Sequence, residues 1–173
     1  AYVRANAVRP GLDPFGRNSG YYNGAGGSAR GLEATAEMRP VRGTLFRTSY
    51  SYVNADTSQD SGVRGVWSAL GVPAHSVQLM AHQQVGRKTD VTVDLYRSAK
   101  YLAPLFAGTR TRAYEFPGFT KMDVVVNRTL WTGESLTLRG YGKFENVLDR
   151  IYYENGFRSA GATWLAGMQV LFR

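Results

Sequence analysis

Thr163-Trp164-Leu165-Ala166-Gly167-Met168-Gln169-Val170-Leu171-Phe172-Arg173 is the stretch that decides the fold, because Trp164, Ala166, Met168, Val170 and Phe172 are apolar at every second position. Alternate residues of a strand face opposite sides of its sheet, so the run lays one apolar stripe along a single face. The interleaved set, Thr163, Leu165, Gly167, Gln169 and Leu171, is more mixed. A C-terminal strand of this regularity suits a closed membrane barrel, where lipid covers one face and pairing with a neighbour removes the open edge.

The same alternation recurs upstream. Leu32, Ala34, Ala36 and Met38 alternate with Glu33, Thr35, Glu37 and Arg39. Phe46, Tyr50 and Tyr52 oppose Arg47, Ser49 and Ser51, and Val77, Leu79 and Ala81 oppose Ser76, Gln78 and His82. Further on, Val91, Val93 and Leu95 face away from Thr92, Asp94 and Tyr96, and Met122, Val124 and Val126 face away from Lys121, Asp123 and Asn127. Leu136, Leu138 and Phe144 lie opposite Thr137, Arg139, Tyr141 and Lys143. With a poorer strand over residues 1–9, the reading is an all-β, antiparallel up-and-down meander of about eight transmembrane strands, either part of an outer-membrane β-barrel or a small version of one.

Turn chemistry gives this meander a polarity. Short turns are expected at residues 40–43, 85–88 and 131–134, all on one rim, and long connections at 10–22, 54–73, 102–116 and 149–160 on the other. Outer-membrane barrels have short periplasmic turns and longer external loops. Glu33, Glu37, Arg47, Asp94, Lys121, Asp123, Arg139 and Lys143 then fall on the lumen-facing side, where charge is far less costly than toward lipid. A soluble β-sandwich would bury the apolar stripe under a second sheet and would normally use shorter strands.

Composition agrees with this class. The 173 residues include 20 Gly, 11 Tyr and no Cys, and carry a net charge of +8. No run reaches the roughly 18 consecutive apolar residues of a membrane-spanning helix, and the lack of Cys removes disulfides and thiolate metal sites. The basic balance alone suits nucleic acid, anionic lipid, an anionic ligand or plain solvent, but no nucleic-acid-binding module accompanies it. Residues 143–154 form the one ambiguous segment: Phe144, Val147, Leu148 and Ile151 also fit one face of a helix.

Chemistry-bearing motifs are weak. Gly24-Ala25-Gly26-Gly27-Ser28-Ala29 imitates a dinucleotide fingerprint, yet a strand follows it where a phosphate-binding helix is needed. His75 and His82, seven residues apart on one strand, face opposite sides and cannot share a metal ion. No nucleophile, base and acid set emerges from spacing, so the expectation is no enzyme, no cofactor and no metal site.

The run Gly142-Lys143-Phe144-Glu145-Asn146-Val147-Leu148-Asp149-Arg150-Ile151-Tyr152-Tyr153, with Gly156-Phe157 and the terminal strand, resembles the C-terminal end of TonB-dependent outer-membrane receptors. Asn23-Gly24-Ala25, Gly31-Leu32-Glu33, Ser49-Tyr50-Ser51-Tyr52 and Pro73-Ala74-His75 resemble further stretches of that family in the same order, so the likeness covers nearly the whole chain. It favours strand then loop for 143–154. It implies an insertion signal in Trp164, Met168, Val170 and Phe172, although the family usually ends on the aromatic residue itself and here Arg173 follows.

Such receptors close about 22 strands around a plug, so the resemblance implies that residues 1–173 are a single barrel segment without signal peptide or plug, expected to be a C-terminal fragment of a receptor or a truncated gene product. The implied role is TonB-dependent uptake of a scarce bulky nutrient: a ferric siderophore, cobalamin or a glycan. Implied partners are outer-membrane lipid and lipopolysaccharide, the barrel-assembly machinery, the TonB energy complex acting through the plug, and the small anionic or bulky nutrient itself. The alternative is a small self-closing eight-stranded barrel with a structural or adhesive role. Topology, rather than motif, nominates Arg17, Arg64, Trp67, Arg110, Arg112, Tyr152, Tyr153 and Arg158 as external-loop ligand contacts, since Arg grips carboxylates in bidentate fashion and aromatic rings stack on flat faces. The competing role for these side chains is contact with lipopolysaccharide phosphates, or an interfacial aromatic girdle.

Overall fold

The computed structural model describes residues 7–8, 21–22, 27–57, 71–107, 110–154 and 156–172. Seven strands make one antiparallel sheet: β3 (Gly27–Met38), β4 (Thr44–Thr57), β5 (His75–Val85), β6 (Thr89–Ser98), β9 (Phe119–Thr132), β10 (Leu136–Glu145) and β13 (Thr163–Phe172). Three small hairpins accompany it. They are β1 (Ala7–Val8) with β2 (Tyr21–Tyr22), β7 (Tyr101–Ala107) with β8 (Arg110–Phe116), and β11 (Tyr153–Glu154) with β12 (Phe157–Arg158). The main sheet runs β13-β10-β9-β6-β5-β4-β3, so sequence neighbours are also spatial neighbours apart from the inserted hairpins. β3 and β13 stand at its two open edges.

Three sequence expectations meet the structure here. Ala7–Val8 belongs to the expected eighth strand, but it pairs with Tyr21–Tyr22 and not with the main sheet. Residues 102–116, read as loop, contain most of the β7–β8 hairpin, whose rung Tyr101 to Phe116 places two aromatic rings 5.6 Å apart. The helix-or-strand ambiguity over 143–154 resolves as strand to Glu145 followed by a turn.

The register gathers the apolar stripes onto one face. One rung reads Met38, Phe46, Ala81, Val93, Val124, Phe144 and Trp164 across all seven strands. The next intervening rung on the other face reads Glu37, Arg47, Met80, Asp94 and Asp123. A one-residue slip in any pairing would exchange the two faces, which is why alternation specifies register so firmly.

Nothing in the described part of the chain covers the apolar face. Leu32 is 60 % exposed, Met168 73 % and Trp164 76 %, and among the described residues the buried apolar ones are Tyr101, Ala103 and Tyr152, all at the long-connection end. A contiguous exposed apolar face of this extent marks a surface made to meet another apolar medium or partner. Along β13, the eight steps from Trp164 to Phe172 span about 26 Å. A tilt of about 40° reduces that to about 20 Å, within the roughly 25 Å apolar band of such barrels. No helix among the described residues is long and apolar enough to cross a membrane.

Connections alternate as the turn chemistry dictates. Residues 39–43, 86–88 and 133–135 close tight turns, with Gly43 at φ 82° and Gly86 at φ 66° taking the left-handed conformation that side chains resist. The opposite end carries 58–74, 99–118 and 146–162, two of which contain a hairpin. Near the short-turn rim a bulge sets Leu138 opposite Trp131 and Arg139 opposite Thr129, leaving Leu130 as the extra residue over Gly140.

The two faces predict opposite responses to the same charge. Val93→Arg, on the apolar face at mid-strand, should lose about 2–4 kcal/mol of stability in lipid vesicles. Gln78→Arg, on the polar face, should change it by less than about 0.5 kcal/mol. Urea unfolding followed by heat-modifiable gel migration measures both, and equal losses would count against lipid as the covering medium.

Candidate functional site

Two features of the fold come together at the long-connection end: a polar sheet face below and a pair of hairpins above. All eight charged residues assigned to the lumen side share that polar face by register. Much of their charge is already matched. Arg47 donates from Nε and Nη2 to Glu37 Oε2 at 3.2 and 2.7 Å, and Arg39 reaches Glu37 Oε1 at 2.7 Å. Lys121 pairs with Asp123 at 3.1 Å and Lys143 with Glu145 at 2.6 Å. Glu33, Asp94 and Arg139 form no ion pair among the described residues. The wall is therefore polar but largely self-neutralised, suited to lining water or protein more than to gripping one strongly charged group.

The last connection, which carries the β11–β12 hairpin, is held by the Asn146 turn. Asn146 is 2 % exposed, at φ 51°, and its side chain is fully used: Nδ2 donates to the carbonyls of Arg150 at 2.9 Å and Ala160 at 3.2 Å, while Oδ1 accepts from Arg150 N at 3.2 Å. Its backbone N–H donates to Asp123 Oδ1 at 2.8 Å, tying the loop to the polar wall. Asp149, at φ 48°, accepts from Ala162 N at 2.9 Å, so the Asn-Val-Leu-Asp run clamps both ends of the last long connection. Asn and Asp are the non-glycine residues that best tolerate this conformation, because their short polar side chains bond to nearby backbone.

Aromatic packing joins the two hairpins. Tyr152 is buried and stacks on Phe119 at 4.3 Å and 11°, and burial pushes its phenol above the usual tyrosine range, so it is neutral at physiological pH. Tyr153 packs against Phe116 at 5.4 Å, and its carbonyl accepts the Tyr101 hydroxyl at 2.5 Å. Tyr101 in turn stacks on Phe116.

The nominated ligand contacts separate accordingly. Arg17, Arg64 and Trp67 lie outside the described residues. Arg110 and Arg112 sit on β8, and Arg158 is exposed on β12 opposite Tyr153. Tyr153 is partly exposed beside it, while the Tyr152 ring is occupied in packing. Sequence spacing missed the contributions of Asn146, Asp149 and Phe119; the available signal was the Asn-x-x-Asp spacing just past an apolar stripe. His75 and His82 do face opposite sides: His75 lies between Tyr50 and Tyr52 on the apolar face, whereas His82 meets Thr92 at 3.0 Å on the polar face.

Seven long strands with one face open to lipid, short turns at one rim and pinned hairpins at the other describe an architecture also seen in solved proteins. The ferripyoverdine receptor of the outer membrane of Pseudomonas aeruginosa matches 98 % of this chain with a TM-score of 0.68 at 14 % identity, over 23 % of its own length. The fold is that of a TonB-dependent receptor barrel. The ferric-catecholate import receptor Fiu of E. coli K12 matches 98 % of the chain with a TM-score of 0.64 at 17 % identity, over 24 % of its length. In sequence, the metal-pseudopaline receptor CntO of Pseudomonas aeruginosa is 23 % identical over 150 residues, which is 86 % of this chain and 20 % of CntO. The chain thus spans about a fifth of the length of the curated relatives it matches. No protein-family signature matches it. The proteins it resembles are receptors, and the ferripyoverdine receptor is one of the outer membrane.

Removing the Asn146 side chain should release the last connection while leaving the sheet intact. Asn146→Ala should cost about 2–3 kcal/mol, because three buried hydrogen bonds are lost. Asn146→Gly, which accepts φ 51° freely, should recover only the backbone part. Hydrogen exchange should accelerate across residues 147–162 and not in β10; uniform acceleration would contradict the clamp.

Proposed function

We propose that residues 1–173 are the C-terminal part of the barrel of a TonB-dependent outer-membrane receptor that takes up a metal chelate, with a plug and an energy-coupling segment supplied by other parts of the receptor. The observation that carries this reading is the open seven-stranded sheet, apolar on one face and polar on the other, whose edges β3 and β13 are not paired with each other. Strand edges exposed in a bilayer leave backbone groups without partners, so further strands must continue the sheet on each side. A small self-closing barrel would instead require those two edges to meet.

A metal chelate is preferred over cobalamin or a glycan because the relatives named above are receptors for ferric or other metal chelates. In this chain the contacts would come from the β7–β8 and β11–β12 hairpins: Arg110, Arg112 and Arg158 for carboxylate or catecholate oxygens, and Tyr153 for a flat face. Arg17, Arg64 and Trp67 would add to them from the other long connections. The polar wall from Glu33 to Lys143 would line the lumen against the plug, and Trp164, Met168, Val170 and Phe172 would serve as the terminal strand read by the barrel-assembly machinery. Transport makes no bonds, which agrees with a site built from packing and ion pairs.

Iron-starved cells lacking the gene should lose uptake of labelled ferric chelate and regain it with the gene restored. Replacing Arg110, Arg112 and Arg158 together with Ala should raise the Kd about tenfold, equivalent to roughly 1.4 kcal/mol, with unchanged heat-modifiable migration. Uptake of every metal chelate tested being independent of the gene would overturn the assignment.

A further inference from the structure

The polar face is not balanced everywhere. At the short-turn rim, the turn at residues 86–88 together with β9, β10 and β13 surrounds a groove of about 440 Å³ that opens on that face. Arg87 and Lys88 line it from the turn that follows Gly86, and Arg139 lines it from β10. All three are exposed, and none has an ion-pair partner among the described residues. No carboxylate is among the described residues that line the groove, and Leu171 is the single apolar one.

The bulge in β9 builds the rest of the site. Thr129 and Thr132 are three residues apart, a spacing that sets two residues of a regular strand on opposite faces. Because Leu130 is the extra residue, Thr129 stands opposite Arg139 and Thr132 opposite Thr137, and all four share the polar face. The Thr129 N–H donates to the Lys88 carbonyl at 2.7 Å, which fastens the cationic turn to the bulged strand. Thr137 also lines the groove; it is 7 % exposed, and its hydroxyl is buried with no hydrogen-bond partner, a rare and costly condition.

Cations held side by side repel one another, and one anion that accepts several hydrogen bonds relieves both their repulsion and the orphaned hydroxyl. We propose that this groove binds a phosphate dianion, either the free ion or the end group of a phosphate monoester. Arg87, Lys88 and Arg139 supply the charge, Thr129 and Thr132 donate their hydroxyls, and Thr137 joins them by a turn about χ1 between staggered positions. A carboxylate brings one charge and two oxygens, whereas a phosphoryl group brings about two charges and three acceptor oxygens, closer to what three cations and three hydroxyls demand. A phospholipid fits poorly, since the groove opens on the face opposite the apolar stripe and has only Leu171 for an acyl chain. Site and ligand class stand on these side chains alone; a location at the periplasmic mouth of the lumen rests on the receptor orientation proposed above.

The test uses the complete protein purified in detergent and dialysed free of phosphate. Calorimetric titration with inorganic phosphate and with glycerol phosphate should show binding at a single site, the tighter of the two identifying the source, and acetate should not bind. R139Q and the pair R87Q/K88Q should each weaken binding about tenfold, and R139K should recover part of the loss. R128Q, beside Thr129 in sequence but on the opposite face, should leave binding unchanged. Thr137→Val separates a ligand role from a packing role: without phosphate it should unfold at the wild-type temperature or above, because an unpartnered buried hydroxyl is gone, yet it should gain less from added phosphate. Heat-modifiable gel migration reads both temperatures. Absence of phosphate binding, equal binding of acetate, equal loss in R128Q or a full phosphate gain in Thr137→Val would each overturn the proposal. Phosphate binding is read independently of transport, so chelate uptake without it removes this inference alone, and phosphate binding without uptake removes the receptor reading alone.

Discussion

Hydrocarbon offers a backbone no hydrogen-bond partners, and every feature of this chain follows from meeting that condition with strands. A ladder satisfies N–H and C=O groups only between neighbours, so the strands must be long, adjacent and in register. Lipid rewards apolar surface on the outer side, so the outward parity must be apolar from β3 to β13. The usual relation between fold and core is thereby inverted. Large apolar side chains such as Trp164, Met168 and Phe172 are exposed, and among the described residues the buried apolar ones are Tyr101, Ala103 and Tyr152 at the hairpin end.

That inversion frees the other face for polar work. Charges there need not be excluded, only balanced, and the Glu37–Arg47, Lys121–Asp123 and Lys143–Glu145 pairs balance them locally. Asp123 has a second duty, because it also accepts the Asn146 N–H. The wall and the external cap are therefore mechanically joined through one carboxylate. Above it, Phe119 on the sheet and Tyr152 on the loop continue the joint as a ring stack.

Much of this was readable in the residues. The strands from residue 31 onward, the short turns near 40–43, 85–88 and 131–134, and the side taken by the eight charges from Glu33 to Lys143 were visible because a period of two has only two phases, and one phase is mostly apolar. The β7–β8 hairpin was harder to see. Its sequence alternates imperfectly around Pro104, and it packs against another hairpin where lipid does not impose a pattern. Residues 143–154 were ambiguous for a related reason, since an apolar spacing of three to four residues also arises when a strand gives way to a turn.

Local alternation alone determined the strand class and the parity of the faces, since these depend on side-chain direction along a single strand. Which residues meet across long separations was decided by tertiary structure. Asn146 with Ala160, Tyr101 with Tyr153 and Phe119 with Tyr152 are brought together by chain reversals whose geometry no periodicity encodes. A hydrogen bond or ring stack acts only over a few ångströms, so such contacts exist only once the sheet and its hairpins have placed their partners side by side.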